Sequence, residues 1–197
     1  MKNSIYKLRM ELVGIEPPIW RSIAIKKDVP FWDLHVAIQS VMGWLDYHLH
    51  TFELKDAKTG EIINAGTPMP GSDDIKPDWE YYIEDYLNPQ NKEILYRYDF
   101  GDNWEVLIKL MDMEDALPGK KYPYCIDGAR NAPPEDVGGV PGYYEFVKIM
   151  KDPGHDEHEN MLAWYESEYD PEHFKISDIK FPDPKKRFNE VYNEDEL

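Results

Sequence analysis

The sequence predicts an α+β fold: a single domain with a mainly antiparallel sheet, an early helix packed on that sheet, and helices near the C terminus. Alternating apolar and polar residues, the pattern of half-buried strands, are concentrated in the first 111 residues around one helical stretch. The later segments have helical spacing, and strands first with helices last favours this class over an alternating parallel fold. Apolar residues make up 42% of the 197 residues, which is enough for a buried core.

Two strands open the chain. Residues 4–13 alternate in polarity, and residues 19–25 form a second alternating run. The Glu16-Pro17-Pro18 turn between them is short, so we expect an antiparallel pair. The apolar positions expected to be buried are Tyr6, Leu8, Met10, Leu12, Ile19, Ile23 and Ile25.

An amphipathic helix is predicted over residues 30–43. Pro30 suits the start of a helix because its missing N–H would have no partner there, and Gly43 is a natural C-terminal cap. Apolar residues recur at helical spacing, which predicts one stripe that packs on the sheet. The stripe consists of Phe31, Leu34, Ile38, Val41, Met42 and Leu45.

Three further strands are predicted. Residues 48–55 form a strand that leaves the helix, and residues 94–100 and 104–111 form the clearest hairpin, because a tight turn separates them. The polar face of this hairpin should bring four charged residues together: Arg97 and Asp99 against Glu105 and Lys109.

Two long Pro- and Gly-rich connections, 64–93 and 118–142, are expected to be loops, and loops of this length are usually functional or disordered. Residues 81–86 should form a short helix or strand within the first connection. Two or three helices are expected after the second, over 143–151, 156–168 and near 184–192. We expect one domain over residues 1–192 and an acidic tail over 193–197.

The net charge of −17 is unevenly distributed. Residues 1–55 contain seven basic and six acidic residues, whereas the remainder contains 15 basic and 33 acidic residues. An acidic surface repels phosphate backbones, so a nucleic-acid partner is disfavoured. The charge favours solubility, with a basic partner or a cytoplasm of high ionic strength as the alternatives.

The sequence also indicates the cellular compartment. No stretch approaches 18 consecutive apolar residues, and the N terminus lacks the apolar core of a signal peptide. Cys125 is the only cysteine, which excludes an intrachain disulfide and a cysteine-rich zinc site. We therefore expect a cytoplasmic protein without membrane association, and the sequence does not indicate its oligomeric state.

Three histidines are candidates for a site. His48 and His50 are two residues apart in a predicted strand, so both should point to one face, and His35 on the preceding helix could approach them. Two adjacent imidazoles with a carboxylate suit zinc or iron. The same face carries Phe52 and Leu54, so the alternative is hydrogen-bonded histidines at the edge of the core.

Asp99 and Asp102 bracket the tight turn of the predicted hairpin. Asp102 and Asn103 suit the turn itself, because both side chains can bond to their own backbone. Asp99 is expected inside the strand as a partner in an ion pair, with a metal-bridging or acid–base role as the alternative. We expect no cofactor, while a divalent metal stays an open alternative.

Several blocks, read together, resemble the plasmid pRiA4b ORF-3-like family. They are Pro17-Pro18-Ile19-Trp20-Arg21, Asp33-Leu34-His35, Met42-Gly43-Trp44, His48-Leu49-His50, Tyr98-Asp99-Phe100-Gly101-Asp102 with Trp104, Pro133-Pro134-Glu135-Asp136, and Asp170-Pro171 with Phe174. The resemblance implies an intracellular protein, encoded in some cases on plasmids or transposons. The candidate site residues are His35, His48, His50, Asp99, Asp102, Trp104, Glu135 and Asp136.

Three functions are open from the sequence. A binding or accessory module that recognises a protein or small ligand through the two long connections is favoured, because loops on a rigid scaffold commonly carry binding sites. A metal-dependent, hydrolase-like enzyme would use His35, His48, His50 and Asp99. A nucleic-acid-binding protein associated with mobile elements rests on the resemblance alone. Phosphate-loop, dinucleotide-binding and nucleophile-elbow motifs are absent from the sequence, so binding is favoured over catalysis.

Overall fold

The computed structural model describes residues 4–56, 59–69, 71 and 73–192, so the predicted acidic tail lies outside the described residues. The strands are β1 (Ser4–Leu12), β2 (Trp20–Lys26), β3 (His50–Lys55), β4 (Ile62–Gly66), β5 (Lys76–Pro77), β6 (Glu93–Tyr98), β7 (Trp104–Asp115) and β8 (Tyr124–Ala129). The helices are α1 (Phe31–Met42), α2 (Ile83–Tyr86), α3 (Gly139–Lys151), α4 (His158–Tyr165) and α5 (Pro184–Tyr192).

The eight strands form one sheet in the order β5-β4-β3-β6-β7-β1-β2-β8. All neighbours pair antiparallel except β4 and β5, which confirms the predicted α+β class. The register follows the predicted alternation: Leu8 lies opposite Ile23 on one side and Leu110 on the other, and all three are buried.

Helix α1 packs on the sheet through most of its predicted stripe. Phe31, Leu34 and Ile38 have no exposed surface. Gly43 ends the helix in the left-handed region, at a φ of 72°, so Leu45 lies beyond the last helical turn. The placement of Leu45 in the stripe is therefore wrong, since Leu45 is 60% exposed.

Two helix pairs are formed outside the sheet, α3 with α4 and α5 with α1. Helix α3 buries Tyr143 and Phe146, and the Phe146 ring lies 5.8 Å from the Trp164 ring of α4. Helix α5 packs Phe188 5.6 Å from Trp32 of α1. None of the helices in the described part of the chain is long and apolar enough to cross a membrane.

The prediction of a loop over 118–142 is wrong in part, because this segment contains β8. The strand adds to the edge of the sheet beside β2, with Ile23 opposite Cys125. The strand could not be recognised from the sequence because Gly128 interrupts the alternation of apolar and polar residues. A glycine is needed there, since a Cβ would lie 2.6 Å from the Phe174 ring.

The connection 64–93 is also more ordered than predicted. It contains the end of β4, the short β5, a 3₁₀ turn over Asp78–Glu80, and α2, which confirms the expected short helix within 81–86. Ile83 and Leu87 are fully buried, and the Tyr6 hydroxyl donates a hydrogen bond to the Leu87 carbonyl at 2.8 Å. The sequence concealed these anchors because they are isolated among polar residues.

Several predicted element ends differ from the structure. Strand β3 begins at His50 and β6 ends at Tyr98, so His48 and Asp99 lie in the connections beside these strands. Helix α4 is shorter than the predicted 156–168. The predicted pairing of Arg97 with Glu105 is confirmed. Lys109 lies opposite Glu93 rather than beside Asp99, and the prediction that Asp99 lies within the strand is wrong.

A buried polar chain joins α1 to the sheet. The Gln39 amide donates to the Tyr96 hydroxyl at 2.9 Å, which leaves the hydroxyl hydrogen for His35 Nδ1, also at 2.9 Å. His35 Nε2 then donates to Asp46 Oδ1 at 2.9 Å, and Asp46 accepts two further bonds from Arg187 of α5. Three elements are thus connected through one imidazole whose two nitrogens are both satisfied.

A second buried histidine lies against the first. The rings of His35 and His50 are stacked, with centroids 3.6 Å apart and planes 6° from parallel. His50 Nε2 is 2.8 Å from Asp78 Oδ2, and Thr67 Oγ1 is 3.2 Å from Nδ1. The hydroxyl therefore donates to Nδ1 while Nε2–H donates to the carboxylate.

Our first prediction concerns the helix stripe. Replacing Leu34 or Ile38 by alanine should lower the free energy of unfolding by about 2–5 kcal/mol each, because each leaves a cavity in a packed core. Leu45→Ala is the matched control and should change this free energy by less than about 0.5 kcal/mol. Urea unfolding followed by tryptophan fluorescence measures all three, and equal losses at Leu45 and Ile38 would contradict the packing.

Our second prediction concerns pH. Burial, followed by the neighbouring His50, lowers the pKa of His35 to about 4. The ordinary histidine pKa is about 6.5, so between these values the unfolded chain binds a proton that the folded chain does not. The stability contributed by neutral His35 is complete above about pH 6.5 and is lost as the pH falls towards 4.

This contribution can be isolated with the non-titrating variant His35→Gln. The difference in unfolding free energy between wild type and variant should shrink by about 2 kcal/mol between about pH 7.5 and pH 5. The comparison with the variant is necessary because burial, Asp183 and Asp78 raise the pKa of Asp33 to about 6, which acts in the opposite direction. A difference that is independent of pH would contradict a neutral, buried His35.

Candidate functional site

The three candidate histidines do not converge on one site. His35 and His50 belong to the buried polar network under α5, whereas His48 lies with Asp99 and Asp136 in a separate cluster. The prediction that His48 and His50 share a strand face is wrong, because β3 begins only at His50. The two clusters differ in how their nitrogen atoms are used.

The His35 and His50 pair has no ring nitrogen available for a cation. All four nitrogens of the two rings make hydrogen bonds. The rings are also stacked, so a cation in the plane of one imidazole would lie well outside the plane of the other. Although Asp46 completes a possible ligand set with the two histidines, the hydrogen bonds of all four ring nitrogens give this cluster a structural role.

The second cluster is built where β3 and β6 meet. His48 precedes β3, and its ring meets the Tyr98 ring edge-on at 5.8 Å. Asp99 follows Tyr98, and its backbone N–H donates to the Leu49 carbonyl at 3.0 Å. Asp99 Oδ1 accepts hydrogen bonds from the backbone N–H groups of the next turn, at Gly101 and Asp102. Asp99 Oδ2 faces His48.

Asp136 reaches the cluster from a distant part of the chain. Glu135 beside it accepts hydrogen bonds from the Tyr98 hydroxyl and, at 3.0 Å, from the Leu45 backbone N–H. On the other side, the Gly138 backbone N–H donates to Asp102 Oδ2 at 3.0 Å. Glu135 and Asp102 therefore fix the segment that holds Asp136 against the β6–β7 turn.

The three side chains have the spacing of metal ligands. His48 Nε2 is 3.1 Å from Asp136 Oδ1 and 3.7 Å from Asp99 Oδ2. Two atoms that each lie about 2.1 Å from one cation are about 3.0 Å apart at a right angle and about 3.4 Å apart at a tetrahedral angle. We call His48, Asp99 and Asp136 the triad.

His48 Nε2 is the distinctive atom of the triad. It is buried and makes no hydrogen bond within the described residues. Asp136 Oδ1 is within hydrogen-bonding distance but lies off the direction of the ring N–H. A buried polar atom without a partner is costly, which distinguishes this nitrogen from those of His35 and His50.

Two members of the triad have an unusual backbone conformation. Asp99 has a φ of 56° and Asp136 has a φ of 58°, both in the left-handed region. Aspartate tolerates this region better than most residues, although the conformation is still disfavoured. Such conformations concentrate at functional sites, where the surrounding structure enforces them.

Two cavities adjoin the triad. One, of about 430 Å³, is lined by Phe146, Met161 and Trp164 among others. The other, of about 420 Å³, is lined by residues that include Tyr47. Asp136 and Trp164 line both, so we call the two cavities together the cleft. The 118–142 connection, predicted as a binding loop, supplies one wall of the cleft.

Another candidate residue, Trp104, has a structural role in the core. Trp104 is 1% exposed, and its ring lies 6.2 Å from that of Trp44 in the core. Asp46 was missed by the sequence reasoning, although it bonds His35 and Arg187. An isolated aspartate after a tryptophan and a leucine gives no pattern that would have identified it.

Comparison with known proteins places the chain among relatives. The family model described as plasmid pRiA4b ORF-3-like protein matches residues 4–178. An uncharacterised protein, y4hQ, from Sinorhizobium fredii is 32% identical over 173 residues, which cover 86% of each protein.

A solved structure is also similar. It is the crystal structure of a protein of unknown function, MM3350, from Methanosarcina mazei, with 41% identity and a TM-score of 0.85. The alignment covers 92% of this chain and 100% of the other. The shared motif blocks, the family match over most of the chain and this structural similarity agree: the chain belongs to the plasmid pRiA4b ORF-3-like family.

Proposed function

We propose that the protein binds a divalent metal ion at the triad of His48, Asp99 and Asp136, and that the ion holds a small ligand or peptide in the adjoining cleft. The supporting observation is the unpartnered, buried Nε2 of His48, which lies beside two carboxylate oxygens at ligand-to-ligand distances. This function combines the binding role favoured by the sequence with the metal site that it left open.

The donor set indicates which ions fit. One imidazole nitrogen and two carboxylate oxygens suit manganese, iron(II) or zinc, because imidazole favours zinc and iron while carboxylates favour harder ions. The two carboxylates also neutralise the charge of a divalent ion. Asp102 and Glu135 fix the backbone around the ligands, as residues behind a metal centre commonly do.

Metal-dependent hydrolysis is a second candidate, and one observation favours it. Among the described residues three side chains form the metal-ligand group, which leaves coordination positions for water or substrate, as in catalytic zinc sites. A metal in such a site activates a bound water or polarises a carbonyl group. Asp136 lines the cleft, so a molecule bound there would lie next to the ion.

Our third prediction is that untagged protein binds one zinc or manganese ion per chain in calorimetric titrations. His48→Ala, Asp99→Asn and Asp136→Asn should each weaken this affinity by at least about tenfold, because even residues behind the ligands contribute that much. The asparagine at position 99 keeps the oxygen that accepts the turn hydrogen bonds. Circular dichroism should therefore show an intact fold for this variant.

The matched control is His173→Ala. His173 forms an exposed pair with Asp178, with 3.1 Å between Nε2 and Oδ2, and therefore resembles half of the triad. Its loss should leave the metal affinity unchanged. An affinity that does not respond to His48→Ala would contradict the proposed site.

The same samples separate the two candidate functions. Metal-loaded protein is incubated with p-nitrophenyl acetate and with phenylalanine p-nitroanilide. Turnover that needs the ion and is lost in Asp136→Asn would establish hydrolysis, whereas stoichiometric metal without turnover would leave ligand binding as the function.

A further inference from the structure

The cleft beside the triad has an unusual combination of charge and chemistry. Carboxylates of Glu135, Asp136 and Glu166 line one of its cavities. No Lys, Arg or His side chain lines either cavity within the described part of the chain. The negative charge of the cleft therefore has no basic side chain within its own walls.

Within the described residues, the one basic side chain at ion-pairing distance from these carboxylates is His48, whose Nε2 is 3.1 Å from Asp136 Oδ1. In the regions that the structure describes, no Lys or Arg forms an ion pair with Glu135, Asp136 or Glu166, whereas Glu145 at the far side of the cleft is paired with Lys148 at 2.9 Å. Within the described part of the chain, the hydrogen-bond donors to the Glu135 carboxylate are neutral, a hydroxyl and a backbone N–H. An anionic ligand would meet repulsion here, while a cation would be attracted.

Aromatic side chains complete the cleft. Trp164 is 46% exposed and Tyr47 is 73% exposed, although both are large apolar residues, and both line the same cavity. Exposed aromatic faces beside carboxylates suit alkylammonium groups, which gain both a cation–π contact and an ionic contact. Leu45, also exposed, adds apolar surface for the remainder of such a ligand.

We infer that the cleft binds a positively charged ligand with an apolar part, of the alkylammonium class, with its cation held by Trp164, Tyr47 and Glu166. The inference rests on the proposed function, since it names the ligand class of the cleft beside the metal site. Its charge requirement nevertheless holds without the ion, because Glu135 and Glu166 are not members of the triad.

The test uses three fluorescent probes that share a dansyl group and a five-carbon linker and whose terminal groups differ in charge. They are dansylcadaverine, which carries an alkylammonium group, its neutral N-acetyl derivative, and the corresponding dansyl-aminohexanoate anion. Fluorescence anisotropy titrations of the full chain are made in EDTA and again with saturating zinc. The cation should bind at least about tenfold more tightly than the anion in EDTA, because an ionic contact in a partly enclosed site contributes on the order of 1.4 kcal/mol.

Variants locate the binding site. Trp164→Leu and Glu166→Gln should each weaken binding of the cation about fivefold, the effect of one cation–π or one charge contact. The matched controls, at exposed positions elsewhere, are Tyr82→Leu and Glu114→Gln, which should have no effect. Thermal unfolding of each variant shows whether it is folded, and Glu166→Gln keeps the test informative if Trp164→Leu is unstable.

Each outcome decides between the two proposals. Equal binding of the three probes, no binding of any of them, or cation binding that is unchanged in both cleft variants would overturn the inference while leaving the metal site intact. Cation-selective binding in EDTA, lost in the cleft variants, would support the inference even if calorimetry detects no metal and the proposed function fails.

Discussion

The buried chain of hydrogen bonds through His35 is the constraint on which the rest of the structure depends. It joins the Gln39 amide, the Tyr96 hydroxyl, the imidazole and Asp46, and it thereby fixes α1 on the sheet and α5 on α1. Replacing one member would leave buried donors or acceptors unpaired, which costs more than the bond itself contributes. The position of α1 in turn determines where the chain emerges towards β3.

The path of the chain from α1 to β3 places His48 beside Asp99. After Gly43 ends α1, the chain passes Asp46 and reaches β3, whose first residue, His50, pairs with Tyr98 of β6. His48 lies just before β3 and Asp99 directly after β6, so the pairing of His50 with Tyr98 holds the two side chains next to each other. The buried histidines thus have a structural role, while Nε2 of His48, two residues before His50, lies beside two carboxylates without a hydrogen bond. This difference is why the two clusters have different functions in our proposal.

The third side chain of the triad depends on contacts between distant parts of the chain. Glu135 binds the Tyr98 hydroxyl, and Asp102 binds the Gly138 backbone. The close approach also explains a glycine: a Cβ on Gly139 would lie 2.4 Å from the Asp102 carbonyl oxygen. The cleft, the triad and the β6–β7 turn are consequently joined by direct contacts. A substitution in any one of them should therefore alter the structure of the others.

The sequence predicted the strand pattern, the helix stripe and most of the motif residues, because alternation and helical spacing are local properties. It identified His48, Asp99 and Asp136 individually but did not group them, since their proximity depends on the turn contacts of Glu135 and Asp102. The sequence predicted Asp99 inside a strand because the alternation of apolar and polar residues before it does not show where the pairing of β6 with its neighbours ends. Strand β8 was missed because Gly128, needed for contact with Phe174, interrupts the pattern.

Anomalous diffraction at the zinc edge, from crystals of untagged protein grown with zinc, tests the metal site most directly. The proposed site predicts one strong peak about 2.0–2.2 Å from His48 Nε2, with carboxylate oxygens of Asp99 and Asp136 at similar distances. A peak beside His35 or His50, or the absence of any peak at the triad, would contradict it.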